Sequence, residues 1–216
     1  TLLMEEQIDT TPENGCINIM LVGDINVGKT SFLMTHVNGR RPTTEFPALL
    51  PDFKETIIFR GSTHERQLID TYLYGYYSGS HDIKQKCTFK QMAELQGGRE
   101  IDVFLCCFSC IDLCSLEHLR DVYHPEIKRY FPDAKIVLCG LKSDLRTSLN
   151  TVQSDKVLIA VSHNDIDEIA QVLEAFAVCE CSVLEGKKEA DKVLGICMCA
   201  GLGLPIMKPK RSCVLI

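Results

Sequence analysis

Between residues 23 and 30 the chain reads Gly-Asp-Ile-Asn-Val-Gly-Lys-Thr, a GxxxxGK[ST] pattern that follows an apolar run and opens a helix-forming stretch. That spacing suits a phosphate. The glycines let successive backbone N–H groups turn inward around an anion. The helix that follows aims the positive end of its dipole at the same point. Lys29 would reach the terminal phosphates, and the Thr30 hydroxyl would ligate Mg²⁺. The candidate phosphate-side residues are Gly23, Asp24, Ile25, Asn26, Val27, Gly28, Lys29, Thr30 and Ser31. The competing reading is a glycine-containing strand–helix turn with an incidental lysine, and the flanking elements weigh against it.

Phosphate chemistry alone does not choose a base, because adenylate kinases and many ATPases share such a loop. The choice falls to Leu141-Lys142-Ser143-Asp144, which follows another apolar run as the guanine-reading [NT]KxD motif does. A carboxylate at Asp144 can accept from both N1–H and the exocyclic amine of guanine, a pair of donors adenine lacks. Taken alone the tetrad is weak, since Lys and Asp after a strand are common surface residues.

The elements that position these groups alternate. Cys16–Val22 reads as a buried strand, and Lys29 to Val37 as a helix stopped by Asn38-Gly39. Phe53–Arg60 and Glu65–Asp70, flanking Gly61-Ser62, predict a hairpin. Asp102–Ser109 and Lys135–Leu141 are apolar strands. Leu116, Leu119, Tyr123 and Ile127 predict one helix over 115–130 with Ser115 as its cap. Residues 165–176 form an amphipathic helix, Val178–Leu184 a strand, and Lys187 to Cys199 the last helix. A short helix is expected over Phe89–Leu95 within an otherwise polar stretch, 76–100. Alternation of this kind predicts an α/β fold with a mostly parallel sheet covered on both faces.

The 216 residues allow one domain with tails, a net charge of −6 gives no basic signature for nucleic acid, and 45% hydrophobic residues suffice for a core. Twelve cysteines sit mostly inside apolar runs, as reduced cytosolic cysteine does. The Cys107/Cys110 CxxC admits a zinc site, but no partner pair follows at ligand spacing. The acidic start, TLLMEEQIDTTPENG, is not a secretory signal, and no apolar run is long enough to span a membrane.

Together these residues resemble the Ras superfamily and, within it, the Rho branch. The stretches VFLCCFS, Tyr123-His-Pro-Glu126, IVLCGLKSDLR and Glu180-Cys-Ser182-Val183 match the Rho pattern in order. The segment between Asp144 and Ser182 exceeds what a Ras domain needs, as the Rho insert does. The resemblance implies a P-loop small GTPase fold with six strands, one edge strand (Phe53 to Arg60) being antiparallel. It implies GTP or GDP with Mg²⁺ as ligands. Lys142 and Asp144 would hold the guanine, Ser182 and the Val183 backbone would close the base pocket, and Asp70 would be a water-mediated Mg²⁺ partner beside Thr30. The organisation expected is an extension (1–15), a nucleotide-binding domain (16–201) with a lengthened second switch (76–100) and an insert (147–163), and a tail (202–216). Effector proteins, exchange factors and guanine-nucleotide dissociation inhibitors are the implied partners.

The departures fall on the catalytic parts. Ile25 stands where the family usually has glycine beside the γ-phosphate. In the second switch, Leu73 replaces a glycine and Tyr74 the glutamine that orients water. In the first switch, Ala48 has no hydroxyl for Mg²⁺. Arg41 replaces an aromatic over the base, and Leu141 replaces the Asn or Thr that ties the motif to the phosphate loop. Binding without efficient hydrolysis is therefore expected, with faster nucleotide release.

The tail ends Cys213-Val-Leu-Ile216, a C-a-a-X pattern whose hydrophobic last residue favours geranylgeranylation. Lys208, Lys210 and Arg211 would supply the second membrane signal a single lipid needs. Residence at the cytoplasmic side of a membrane, with a cytosolic pool, is expected. Cys197 and Cys199 could accept acyl groups, but their place on the last helix favours the core. Three functions compete: a Rho-like signalling protein, a non-enzymatic scaffold of the same fold, and a P-loop kinase. The kinase lacks a lid sequence and leaves the tail unexplained.

Overall fold

Apolar runs that alternate with amphipathic ones bury their backbone polar groups by pairing as strands between layers of helix. The computed structural model, which describes residues 14–40, 53–71, 100–149 and 160–207, has this arrangement. Six strands are formed: β1 (Asn14–Val22), β2 (Phe53–Phe59), β3 (Ser62–Asp70), β4 (Val103–Ser109), β5 (Lys135–Leu141) and β6 (Ala177–Cys181). They lie in the order β2-β3-β1-β4-β5-β6, all neighbours parallel except the antiparallel edge pair β2–β3. Every residue of β4, VFLCCFS, is buried, as a central strand covered on both faces requires.

Helices cover both faces. On one, α1 (Lys29–Asn38) and the last helix, Lys187–Gly201, pack over Leu21, Leu105, Cys107 and Val137. On the other, an interrupted helix and a later one pack over Met20, Phe104, Cys106 and Phe108. The interrupted helix consists of α2 (Leu113–His118), a π turn (Leu119–Tyr123) and α3 (His124–Tyr130). Then come α4 (Ser143–Leu149) and α5 (His163–Val172), and the last helix is α6. Burying each large side chain of these cores contributes about 1.5–3 kcal/mol.

Several local expectations need correction. The 115–130 helix starts at Leu113, and its cap is Asp112, whose side chain accepts from Ser115 N; Ser115 is instead buried, accepting from Ser109 N. The hairpin turn is Arg60-Gly61, both with positive φ (52° and 90°), so β3 begins at Ser62. The fifth helix runs from His163 to Val172, set by a Ser162/Asp165 capping box. The last strand ends at Cys181, and a 3-10 turn spans Val183–Glu185, because Ser182 caps that turn by accepting from Leu184 N. Cys107 and Cys110 belong to cores on opposite faces of the sheet. Cys197 and Cys199 are buried on α6, as the core-facing reading expects. The expected helix at Phe89–Leu95 lies outside the described residues.

Candidate functional site

The described candidates converge at the carboxyl ends of the parallel strands. Gly23 follows β1, Asp70 ends β3, Lys142 follows β5 and Ser182 follows β6. In a doubly wound sheet this edge, next to the strand where connections change direction, is where ligands bind.

The phosphate loop is shaped by close packing. Gly23 has φ 138°, and a Cβ there would stand 2.0 Å from Cys107 O on β4, so the chain can leave β1 only through glycine. Asn26 takes the left-handed region with φ 66°, which Asn tolerates, and Gly28 enters α1 with φ 118°. Lys29 is buried, and its Nζ donates to Gly23 O at 2.6 Å and Asp24 O at 2.8 Å, stapling the loop's first turn to its own helix. Burial pushes the Lys29 ammonium below its ordinary value, against the opposing pull of Cys107, Asp70 and Asp24. A poorly solvated cation at the mouth of a loop is a strong attractor for phosphate oxygens.

Thr30 Oγ1 donates to Asp70 Oδ2 at 2.7 Å, so α1 and β3 bring together the two hard oxygen groups of the expected metal site. Hydroxyl and carboxylate oxygens are the donors Mg²⁺ takes, usually with several waters retained. Behind them, the buried Thr71 donates to Leu21 O at 2.8 Å and fixes the end of β3.

At the base end, a cavity of about 350 Å³ is lined by Gly28, Ser31, Leu141, Lys142, Asp144, Leu145, Val183 and Leu184. Its apolar walls and single carboxylate match what a planar heterocycle needs. Ser182 Oγ donates to Asp144 Oδ1 at 2.6 Å and so orients the carboxylate. Lys142 sits in the left-handed region, φ 59°, and its Nζ donates to Asn26 O at 2.5 Å. The lysine thus ties the base motif to the phosphate loop. Leu141 does not; it is buried against Gly28, its Cδ1 3.6 Å from where a Cβ would stand. The residues present therefore fit a purine nucleotide and Mg²⁺: cation, cradle, oxygen pair and base cavity are contiguous.

The structure adds groups that the sequence pattern did not single out. The Asp24 carboxylate meets His118 Nδ1 at 2.6 Å and accepts from Tyr123 Oη at 3.2 Å. No local signal marks this pair, since Tyr123 reads as an ordinary apolar position of its helix. Beneath α1, the buried His36 faces Asp191 Oδ1 at 2.6 Å and Glu55 Oε1 at 2.7 Å, and Arg66 Nε donates to Glu55 at 2.8 Å. That network joins α1 to the hairpin and to α6. Burial raises the Glu55 carboxyl, but hydrogen bonds from His36 and Arg66 outweigh it and hold the group below its ordinary value.

Ile25 is partly exposed at the turn of the loop. Arg41, Ala48, Leu73, Tyr74 and Cys213 lie outside the described residues, as do most of the 76–100 stretch and the centre of the 147–163 insert. Beyond the geometry, the sequence model of the Ras family matches residues 18–194. Nearly the whole sheet and every described site residue fall within that match. The chain belongs to the Ras family, and is a small GTP-binding switch protein that takes GTP or GDP with Mg²⁺.

Proposed function

We propose that this chain is a Rho-branch switch that holds guanine nucleotide, turns it over slowly or not at all, and works at a membrane surface. The observation that carries the proposal is Ile25. A β-branched side chain, 37% exposed, occupies the turn of the phosphate loop where relatives carry glycine. It would crowd both the attacking water and an arginine supplied by an activating protein, a group typically worth about 10³–10⁵ in rate. Tyr74 supports the same reading, because phenol cannot orient water as the amide it replaces does. Ala48 supports it too, having no hydroxyl to hold the first switch on Mg²⁺.

The division of labour follows from differential binding. Nucleotide and Mg²⁺ together would supply the labile phosphoanhydride and its charge neutralisation. Lys29, Thr30, Asp70, Lys142, Asp144, Ser182 and the Val183 backbone hold the ground state. Ile25 and Tyr74 act on the transition state, so ground-state binding survives while acceleration falls, whereas Arg41, Ala48 and Leu141 remove holding contacts and speed nucleotide release. The Rho assignment draws on Tyr123-His-Pro-Glu126 and on the length between Asp144 and Ser182. Attachment would use a prenyl group on Cys213 with Lys208, Lys210 and Arg211, and effectors, exchange factors and dissociation inhibitors are the partners this reading implies. Release of Cys213→Ser from membranes tests the anchor.

Single-turnover phosphate release, with and without a Rho-type activating protein, tests the chemistry. Little release in either arm is expected. Strong acceleration by the activator would overturn the reading. Ile25→Gly combined with Tyr74→Gln should raise the rate.

A further inference from the structure

Phosphate binding uses the backbone of Asp24, yet its side chain is also held. It is 17% exposed, with His118 Nδ1 2.6 Å from Oδ2 and Tyr123 Oη donating to Oδ1 at 3.2 Å. The two partners are five residues apart on the interrupted helix. At 3.6 residues per turn a regular α-helix would set them about 140° apart. The intervening π turn closes its hydrogen bond over five residues, His124 N to Leu119 O, and returns them to one side. The same Asp24 accepts Lys29 Nζ at its carbonyl, 2.8 Å away. What the helix holds by the carboxylate therefore holds the ammonium by the carbonyl.

We propose that His118 is a positioning residue for the phosphate loop: with Tyr123 it fixes Asp24 and through it the Lys29 ammonium, and so sets how long nucleotide is retained. The inference rests on nucleotide binding at this loop and adds a regulator of its retention.

The test is the dissociation rate of a fluorescent GDP analogue from the full chain with Mg²⁺. His118→Ala should release it about three- to tenfold faster than wild type, a modest effect because His118 is half exposed. His118→Asn keeps a side-chain donor and should recover most of that difference. On an Asp24→Asn background, His118→Ala should add nothing, which distinguishes positioning through Asp24 from general loosening of the helix. An unchanged rate in His118→Ala, no recovery in His118→Asn, or an equal cost on both backgrounds would overturn the proposal. If the wild-type chain does not bind the analogue, the nucleotide-binding reading itself fails, and this inference with it.

Discussion

The two ends of the nucleotide cleft are built differently. The phosphate end is an outgrowth of the core. Gly23 touches the β4 backbone, Lys29 is buried, Thr71 is buried under β3, and Asp24 is held from a helix. The base end is an assembly of loop groups. Val183 and Leu184 are at least partly exposed, Asp144 is oriented by the Ser182 hydroxyl, and Lys142 crosses to Asn26 O. On the proposed reading, affinity for the common part of any nucleotide is embedded in the fold's stability, whereas choice among bases falls to side chains that can change without disturbing it.

The largest expected effect tests that embedding. Gly23→Ala places a Cβ against Cys107 O at 2.0 Å, in a left-handed conformation, and should cost about 3 kcal/mol or more of stability along with binding. Thermal denaturation checks it, and an unshifted Tm would show that the loop is separable from the core. Lys29→Met should weaken GDP binding about a hundredfold, since two or more charge-assisted bonds are lost. Its Tm should change little, because loss of the two loop hydrogen bonds is offset by removal of a buried ammonium. Titration calorimetry and melting on one sample separate these outcomes.

At the base end, Asp144→Ala should remove about 1–3 kcal/mol of preference for guanine over adenine nucleotides while leaving Tm nearly unchanged. Competition between GDP and ADP measures it, and equal loss for both would place Asp144 outside base selection. Ser182→Ala removes one hydrogen bond that orients the carboxylate and should cost about 1 kcal/mol of that preference. The smallest effect lies under the phosphate end. Glu55 is held below its ordinary value of 4.5, so its share of stability is fully present above that pH and is lost as pH falls through the lowered folded value. After allowance for solvent screening this contribution is small. Acid melts of wild type against Glu55→Gln should therefore converge at low pH. A constant offset would mean that the His36 network does not depend on the carboxylate charge.

Local chemistry determined much of this protein from the sequence alone. Glycine spacing, a lysine before a hydroxyl, runs of apolar residues and an Asn-Gly stop are all short-range signals. They located the phosphate loop, α1, the hairpin and the strands within a few residues. Lys142, Asp144 and Ser182 were legible because a motif fixes them relative to a strand end. The tertiary structure alone decided which groups meet across the fold. His118 and Asp24 are 94 positions apart, Lys142 and Asn26 are 116, and His36 and Asp191 are 155. The π turn that aims His118 and Tyr123 together was invisible because the apolar spacing of its helix is that of a regular one. Periodicity records which face of an element is buried. What that face is buried against depends on sheet order and on the packing of elements from distant parts of the chain.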